Sequence, residues 1–357
     1  MSSAVSAATA ASGTPSDNAG GPAPGAASAA PARAVGSHVT VRNLSVSYGD
    51  YHAVRNVSFD IEAGTTLALV GESGSGKSTI ALACSRLLTR DASIGSGSIT
   101  VGGVDVLALE GSPLRQMRGQ KVAYLAQDAL AALNPVVRIG RQVSEIYSVR
   151  GGETKRVADD RAVAALEQVN IHDPARVARM YPHQLSGGMR QRVMIAMALA
   201  FEPELLIADE PTTALDVTVQ ADILQLIVDL QERNGLTCLW ITHDMSVVAE
   251  MADSVAVLYG GQMLENSDVY SVFDNPRNPY TGKLLECFES GRSAGHKEPF
   301  SSIPGSPSAR AARSGCPFSP RCDRADDMCR SDTPAARELV AGHWAACHHP
   351  LEVLEAK

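Results

Sequence analysis

The chain has 357 residues, 45% of them hydrophobic, enough for one large or two modest domains. Its formal net charge of -8 argues against a broad surface for nucleic acid or anionic membrane. No apolar run approaches the roughly 18 residues of a membrane-spanning helix.

Residues 1–36 are rich in Ala, Gly, Ser and Pro and lack the basic start and Leu-rich segment of a signal peptide, so a disordered tail is expected. That reading places the chain in the cytoplasm, where thiols stay reduced. Order begins at "HVTVRNLSVSY", where Val39, Val41, Leu44, Val46 and Tyr48 suggest strands with a small irregularity. "VSFDIEAG" alternates Val57, Phe59 and Ile61 and turns at Gly64. "TLALV" (66–70) has the apolar character of a strand buried in a parallel sheet, and a helix follows from Lys77 to about Leu88. "KVAYLAQ" (121–127) reads as a strand, and residues 137–200 as mostly helical. Then come strand 204–209, helix 217–233, strand 236–242, a helix from Ser246, and strands "SVAVLY" and "QMLEN". This is an α/β pattern with a helical insertion. After Leu285 a Gly/Ser/Pro-rich loop or linker is expected, leading into a cysteine-bearing segment.

Three motifs carry chemistry. "GESGSGKST" comprises Gly71, Glu72, Ser73, Gly74, Ser75, Gly76, Lys77, Ser78 and Thr79 and fits G-x-x-x-x-G-K-[ST] between a buried strand and a helix. Glycines let backbone N–H groups turn onto phosphate oxygens, and the helix N-terminus adds partial positive charge. Lys77 is read as reaching the β- and γ-phosphates and Ser78 as a Mg²⁺ ligand. The bland alternative is a glycine-rich turn with a chance lysine. "LLIADE" (205–210) is an apolar strand that delivers two carboxylates to the carboxyl edge of the sheet. Asp209 is read as holding Mg²⁺ and Glu210 as the base that orients and deprotonates water. "LSGGMRQR" (185–192) starts a helix at Ser186, Gly187 and Gly188, another anion-binding N-terminus.

With this third motif the sequence resembles the ATP-binding-cassette family. The resemblance implies a phosphate-binding-loop ATPase: a RecA-like α/β core with an antiparallel β subdomain, a helical subdomain at about 128–200, and a small Cys-containing C-terminal extension. The implied organisation is a tail (1–36), the cassette (37–288), then linker and extension (289–357). It implies that Leu185, Ser186, Gly187, Gly188 and Met189 cover ATP held by a partner subunit, with Met189 in place of the usual Gln. Tyr48 resembles the aromatic that stacks on adenine, and Gln127 the glutamine that senses Mg²⁺ and the membrane partner. Asp216 resembles the aspartate that links two subunits, and His243 the histidine that positions the γ-phosphate and water. No catalytic position departs from the pattern, so an active ATPase is expected.

"ALNPVVRIGRQVSE", "NPRNPYTGKLLE" and the tail "IPGSPS…GCPFSPRC" resemble the ATP-binding subunits of peptide and nickel uptake transporters, over about Val39 to His348. Asp128-Ala129 and Ser308 depart from that subfamily's pattern at the coupling surface and the linker. The implied assembly sits on the cytoplasmic side of the cell membrane. It contains a second ATPase subunit (a paralogue or a second copy), two membrane permeases and an extracytoplasmic binding protein, and no nucleic acid. Rival readings are a soluble cassette ATPase acting on DNA or ribosomes, a module without turnover, and an exporter. The first lacks its usual coiled-coil insertion or second cassette, the second is opposed by Glu210 and His243, and the third leaves the extension unexplained.

Cys316, Cys322, Cys329 and Cys347 are spaced C-x5-C-x6-C-x17-C. Zinc knuckles favour C-x2–4-C, which is absent, although His343, His348 and His349 offer nitrogen. Disulfides are disfavoured in a cytoplasmic chain, and so polar a segment has little core to fold around without a staple. The subfamily resemblance implies a metal-type motif. A [4Fe–4S] cluster is ranked first, Zn²⁺ second and four unliganded thiols third. Its expected role is to brace the extension, because it lies downstream of every ATP-site motif.

Overall fold

The computed structural model describes residues 36–213, 215–293, 302–305 and 314–352. The expectations for residues 1–35 and Ser308 lie outside the described residues. A four-stranded antiparallel sheet has the order β2-β1-β4-β5, formed by β1 Val39–Tyr48, β2 Tyr51–Ile61, β4 Ala92–Val101 and β5 Val104–Asp105. The main sheet has eight strands in the order β11-β12-β10-β9-β3-β8-β7-β6. Its parallel part consists of β6 Val122–Leu125, β7 Leu205–Asp209, β8 Thr237–Ile241, β3 Thr66–Val70 and β9 Ser254–Tyr259. β10 Gln262–Asp268, β12 His343–Ala346 and β11 Ala336–Val340 continue it antiparallel.

β3, β7 and β8 are buried at every residue, which is why they are short and continuously apolar. Their side chains alternate between two cores. Leu67, Leu69, Leu205, Ile207, Leu239 and Ile241 pack toward the antiparallel sheet with Val39, Val41 and Leu44. Leu206, Ala208, Cys238 and Trp240 pack with the helical segment, including Ile139, Val143, Leu166 and Val193. That segment contains helices Ile139–Arg150, Lys155–Gln168 and Gly187–Ala198. No helix among the described residues is long and apolar enough to cross a membrane.

Four findings differ from the sequence expectations. The first helix spans Lys77–Cys84 and stops at Ser85, because Arg86 turns to a φ of 57°. β2 begins at Tyr51, before the alternating run. The stretch after Leu285 is not yet a loop: helix Pro279–Ser293 continues through it, anchored by buried Tyr280 and Leu285, so the boundary at 288 falls inside a helix. The extension also joins the main sheet, since Glu265 and Asn266 of β10 pair with Ala345 and Trp344 of β12.

Buried Glu265 fixes that junction. It accepts backbone N–H groups of Arg277 and Asn278 at 2.6 and 2.9 Å and contacts His343 Nε2 at 2.6 Å. The Nε2 of His343 is therefore committed to Glu265.

Candidate active site

Residues 71–79 leave β3 and wrap back before helix Lys77–Cys84. Gly71 has a φ of 145°, and a Cβ there would lie 2.1 Å from the Leu258 carbonyl oxygen. Gly76 caps the helix at a φ of 104°, with the Ala53 carbonyl 2.6 Å from where its Cβ would stand. Only glycine meets both conditions, left-handed backbone and no room. Lys77 is buried and folds back to donate to the Gly71 and Glu72 carbonyls at 2.7 and 3.0 Å. Burial pushes its ammonium below its ordinary value, against the opposing pull of Glu210, Asp209 and Glu72.

Asp209 ends β7 with both oxygens engaged. Ser78 Oγ donates to Oδ1 at 3.1 Å, and the Tyr124 hydroxyl to Oδ2 at 2.9 Å. The paired Ser78 and Asp209 oxygens suit the oxygen-only coordination of Mg²⁺. Glu210 turns to a φ of 47°, a backbone region that costs a non-glycine residue of order 1–3 kcal/mol. Its carboxylate accepts from Gln127 Nε2 at 3.3 Å and Thr213 Oγ1 at 3.1 Å, and His243 Nδ1 stands 3.2 Å away.

One cleft joins Tyr48, Ser73 through Thr79, Gln127 and Glu210. Asp209 and His243 reach it through Ser78 and Glu210. Sequence reasoning missed Tyr51, which lines the same cleft as a second ring, and Tyr124. The alternation of "VAYL" gives no hint that Tyr124 points at Asp209.

The third motif is not in this cleft. Ser186 is exposed and caps helix Gly187–Ala198 by accepting from Met189 N–H at 3.3 Å. Leu185 is buried, Gly187 and Met189 are half-buried, and a Cβ on Gly188 would lie 2.5 Å from Val219 Cγ1. Asp216, also exposed, caps helix Val217–Asn234 through Val219 N–H at 3.0 Å.

The four cysteines Cys316, Cys322, Cys329 and Cys347 are free thiols lining one small cavity with His348 and His349. Burial raises all four, Cys347 to about 11. A tetrahedral zinc with bonds near 2.3 Å needs sulfurs roughly 3.8 Å apart. Among the described residues, the only three potential ligand atoms within 4.8 Å of one another belong to Asp326, Cys329 and His349. The four thiols thus share one cavity, but no three of their sulfurs form such a close group among the described residues.

This segment also reaches the phosphate loop. The Arg321 guanidinium holds the Glu72 carboxylate at 2.6 and 3.1 Å. The cysteine segment, last in the sequence, thus touches the first motif in space.

Comparison with known proteins gives the family. The ABC transporter family pattern matches residues 54–213, and that of the oligopeptide/dipeptide transporter C-terminal region matches 264–329. The dipeptide transport ATP-binding protein DppD of Escherichia coli K12 is 42% identical over 88% of this chain and 97% of its own. The oligopeptide transport ATP-binding protein OppD of the same organism is 41% identical over 88% of this chain and 94% of its own. The ATP-binding cassette MJ0796, solved as a post-hydrolysis dimer with ADP and Pi, superposes with a TM-score of 0.57 at 30% identity, over 65% of this chain and 98% of that one. The chain belongs to the ATP-binding cassette transporter family, as an ATP-hydrolysing subunit.

Proposed function

We propose that this subunit powers peptide import, as the partner of a second ATP-binding subunit, two permeases and an extracytoplasmic binding protein at the cytoplasmic membrane face. The observation that carries the reading is the joint match of cassette and C-terminal region, at 41–42% identity to peptide-transport subunits along most of the chain.

In this reading the ATP phosphates lie against Gly71–Thr79, with Lys77 released from its two carbonyls to bind them. Tyr48 stacks on adenine. Ser78, Asp209 and Gln127 would hold Mg²⁺, which would neutralise phosphate charge. Tyr124 keeps Asp209 oriented. Glu210 takes the proton of the attacking water while His243 and Gln127 align it. Exposed Ser186 and its neighbours Leu185, Gly187, Gly188 and Met189 cover the partner's ATP, and Asp216 lies on the same interface.

Purifying the assembly through this chain and measuring what the co-purifying binding protein holds tests the solute. Bound peptide supports the reading; a protein that binds nickel chelates and no peptide overturns it.

The four thiols sharing one cavity support a [4Fe–4S] cluster on Cys316, Cys322, Cys329 and Cys347, since such clusters are held by four Cys thiolates. Anaerobically purified protein is expected to be brown and to contain iron and acid-labile sulfide. Colourless protein with stoichiometric zinc contradicts it.

A further inference from the structure

We propose that Arg321 is a positioning residue of the phosphate-binding loop, through which the fold of the cysteine segment sets ATP affinity. The inference rests on the reading of residues 71–79 as the ATP site.

Arg321 closes a 3₁₀ turn, Ser319–Arg321, lying between Cys316 and Cys322. Its side chain is 6% exposed. All five N–H donors are used. Two go to Glu72, one to the Tyr259 hydroxyl at 3.1 Å, and one each to the Ile303 and Pro304 carbonyls at 3.1 and 2.8 Å. A lysine has three donors and no planar fork, so it cannot reproduce this set.

The receiving end is as constrained. The Glu72 backbone N–H donates to the Tyr280 hydroxyl at 3.0 Å, and its carbonyl accepts from Lys77 Nζ and from Ser75 N–H. Phe318 packs on the rings of Tyr259 and Tyr280, with centroids 5.3 and 5.1 Å away. Glu72 is thus held by the same turn at its side chain and, through Phe318 and Tyr280, at its backbone.

The far end of the turn is set by the thiol cavity. Cys316 N–H donates to the Cys329 carbonyl at 2.8 Å, Ser319 N–H to the Cys316 carbonyl at 3.0 Å, and Arg321 precedes Cys322 directly. Rearranging the thiols shifts Arg321, and losing Arg321 leaves an unpaired carboxylate inside a loop whose task is to bind polyphosphate. Both the loop geometry and the local charge then oppose ATP.

The test is ATP affinity by calorimetry on the full chain, alongside thermal unfolding. Arg321→Met is expected to weaken ATP about 10- to 100-fold, less than the full cost of breaking a buried charge pair because Glu72 keeps some contact with solvent. Arg321→Lys should recover part of the loss. Adding Glu72→Gln to Arg321→Met should recover more, because it removes the unpaired charge; a purely structural brace predicts no such rescue. Cys329→Ser should weaken ATP too, and adding Arg321→Met to it should cost little further. Unchanged affinity in Arg321→Met, or independent multiplication of the Cys329 and Arg321 effects, overturns the proposal. Wild-type protein that fails to bind ATP overturns the underlying site instead.

Discussion

Glu210→Gln is expected to keep ATP binding and to lower hydrolysis by about 10²–10⁴-fold. The side chain sits at the end of β7, its backbone N–H bonded to the Ile241 carbonyl at 2.9 Å and its carboxylate facing Gln127, Thr213 and His243. An amide of the same size still accepts from Thr213 Oγ1, so the fold and the cleft survive. What disappears is the capacity to take a proton from water. The loss should appear in kcat, with ATP affinity unchanged, and the closed dimer should accumulate. Lys77→Ala behaves differently, because its target is the phosphates themselves: binding weakens and the closed dimer does not form. Wild-type turnover by Glu210→Gln in the assembled transporter contradicts the assignment.

The second large effect concerns Ser186. Its hydroxyl caps an exposed helix start outside its own chain's cleft; in the proposed head-to-tail arrangement, an intact site combines the phosphate loop of one subunit with this helix from the other. Consider two assemblies carrying the same two lesions. In the first, Ser186→Arg lies on this subunit and the loop lysine is replaced on its partner. Both lesions then fall on one composite site, and the other site keeps working. In the second, Ser186→Arg and Lys77→Ala lie on this subunit together and disable both sites. Steady-state ATP turnover should persist in the first assembly and vanish in the second. Equal loss in both contradicts the head-to-tail arrangement.

The parts of this molecule legible in its sequence are those whose structure is made by neighbours in the chain. "TLALV" followed by "GESGSGKST" states strand, turn and helix within 14 residues. "LLIADE" likewise carries its burial and its carboxylates together. What escaped notice depends on distant partners. β4, "ASIGSGSITV", has the glycines and serines of a loop. It is a strand because β1 pairs along its length, and Gly97 is needed where a Cβ would meet the Arg42 carbonyl and Leu44 Cα, both at 2.7 Å. Helix Pro279–Ser293 contains Gly282 and many polar residues, and its order comes from packing Tyr280 and Leu285 into a core built by β3 and β9. The candidate site divides the same way. Motif spacing pointed to Lys77, Asp209 and Glu210, whereas Tyr124 and Arg321 act across 85 and 249 positions of chain.

The central claim, that ATP hydrolysis at this cleft drives peptide across a membrane, is tested most directly by uptake of labelled peptide into liposomes containing the complete assembly, with ATP supplied on the side of this subunit. The account predicts ATP-dependent accumulation that requires the binding protein and is abolished when Glu210→Gln replaces the wild-type chain. Undiminished uptake with that variant, or ATP turnover that peptide-loaded binding protein leaves unchanged while no peptide accumulates, would contradict it.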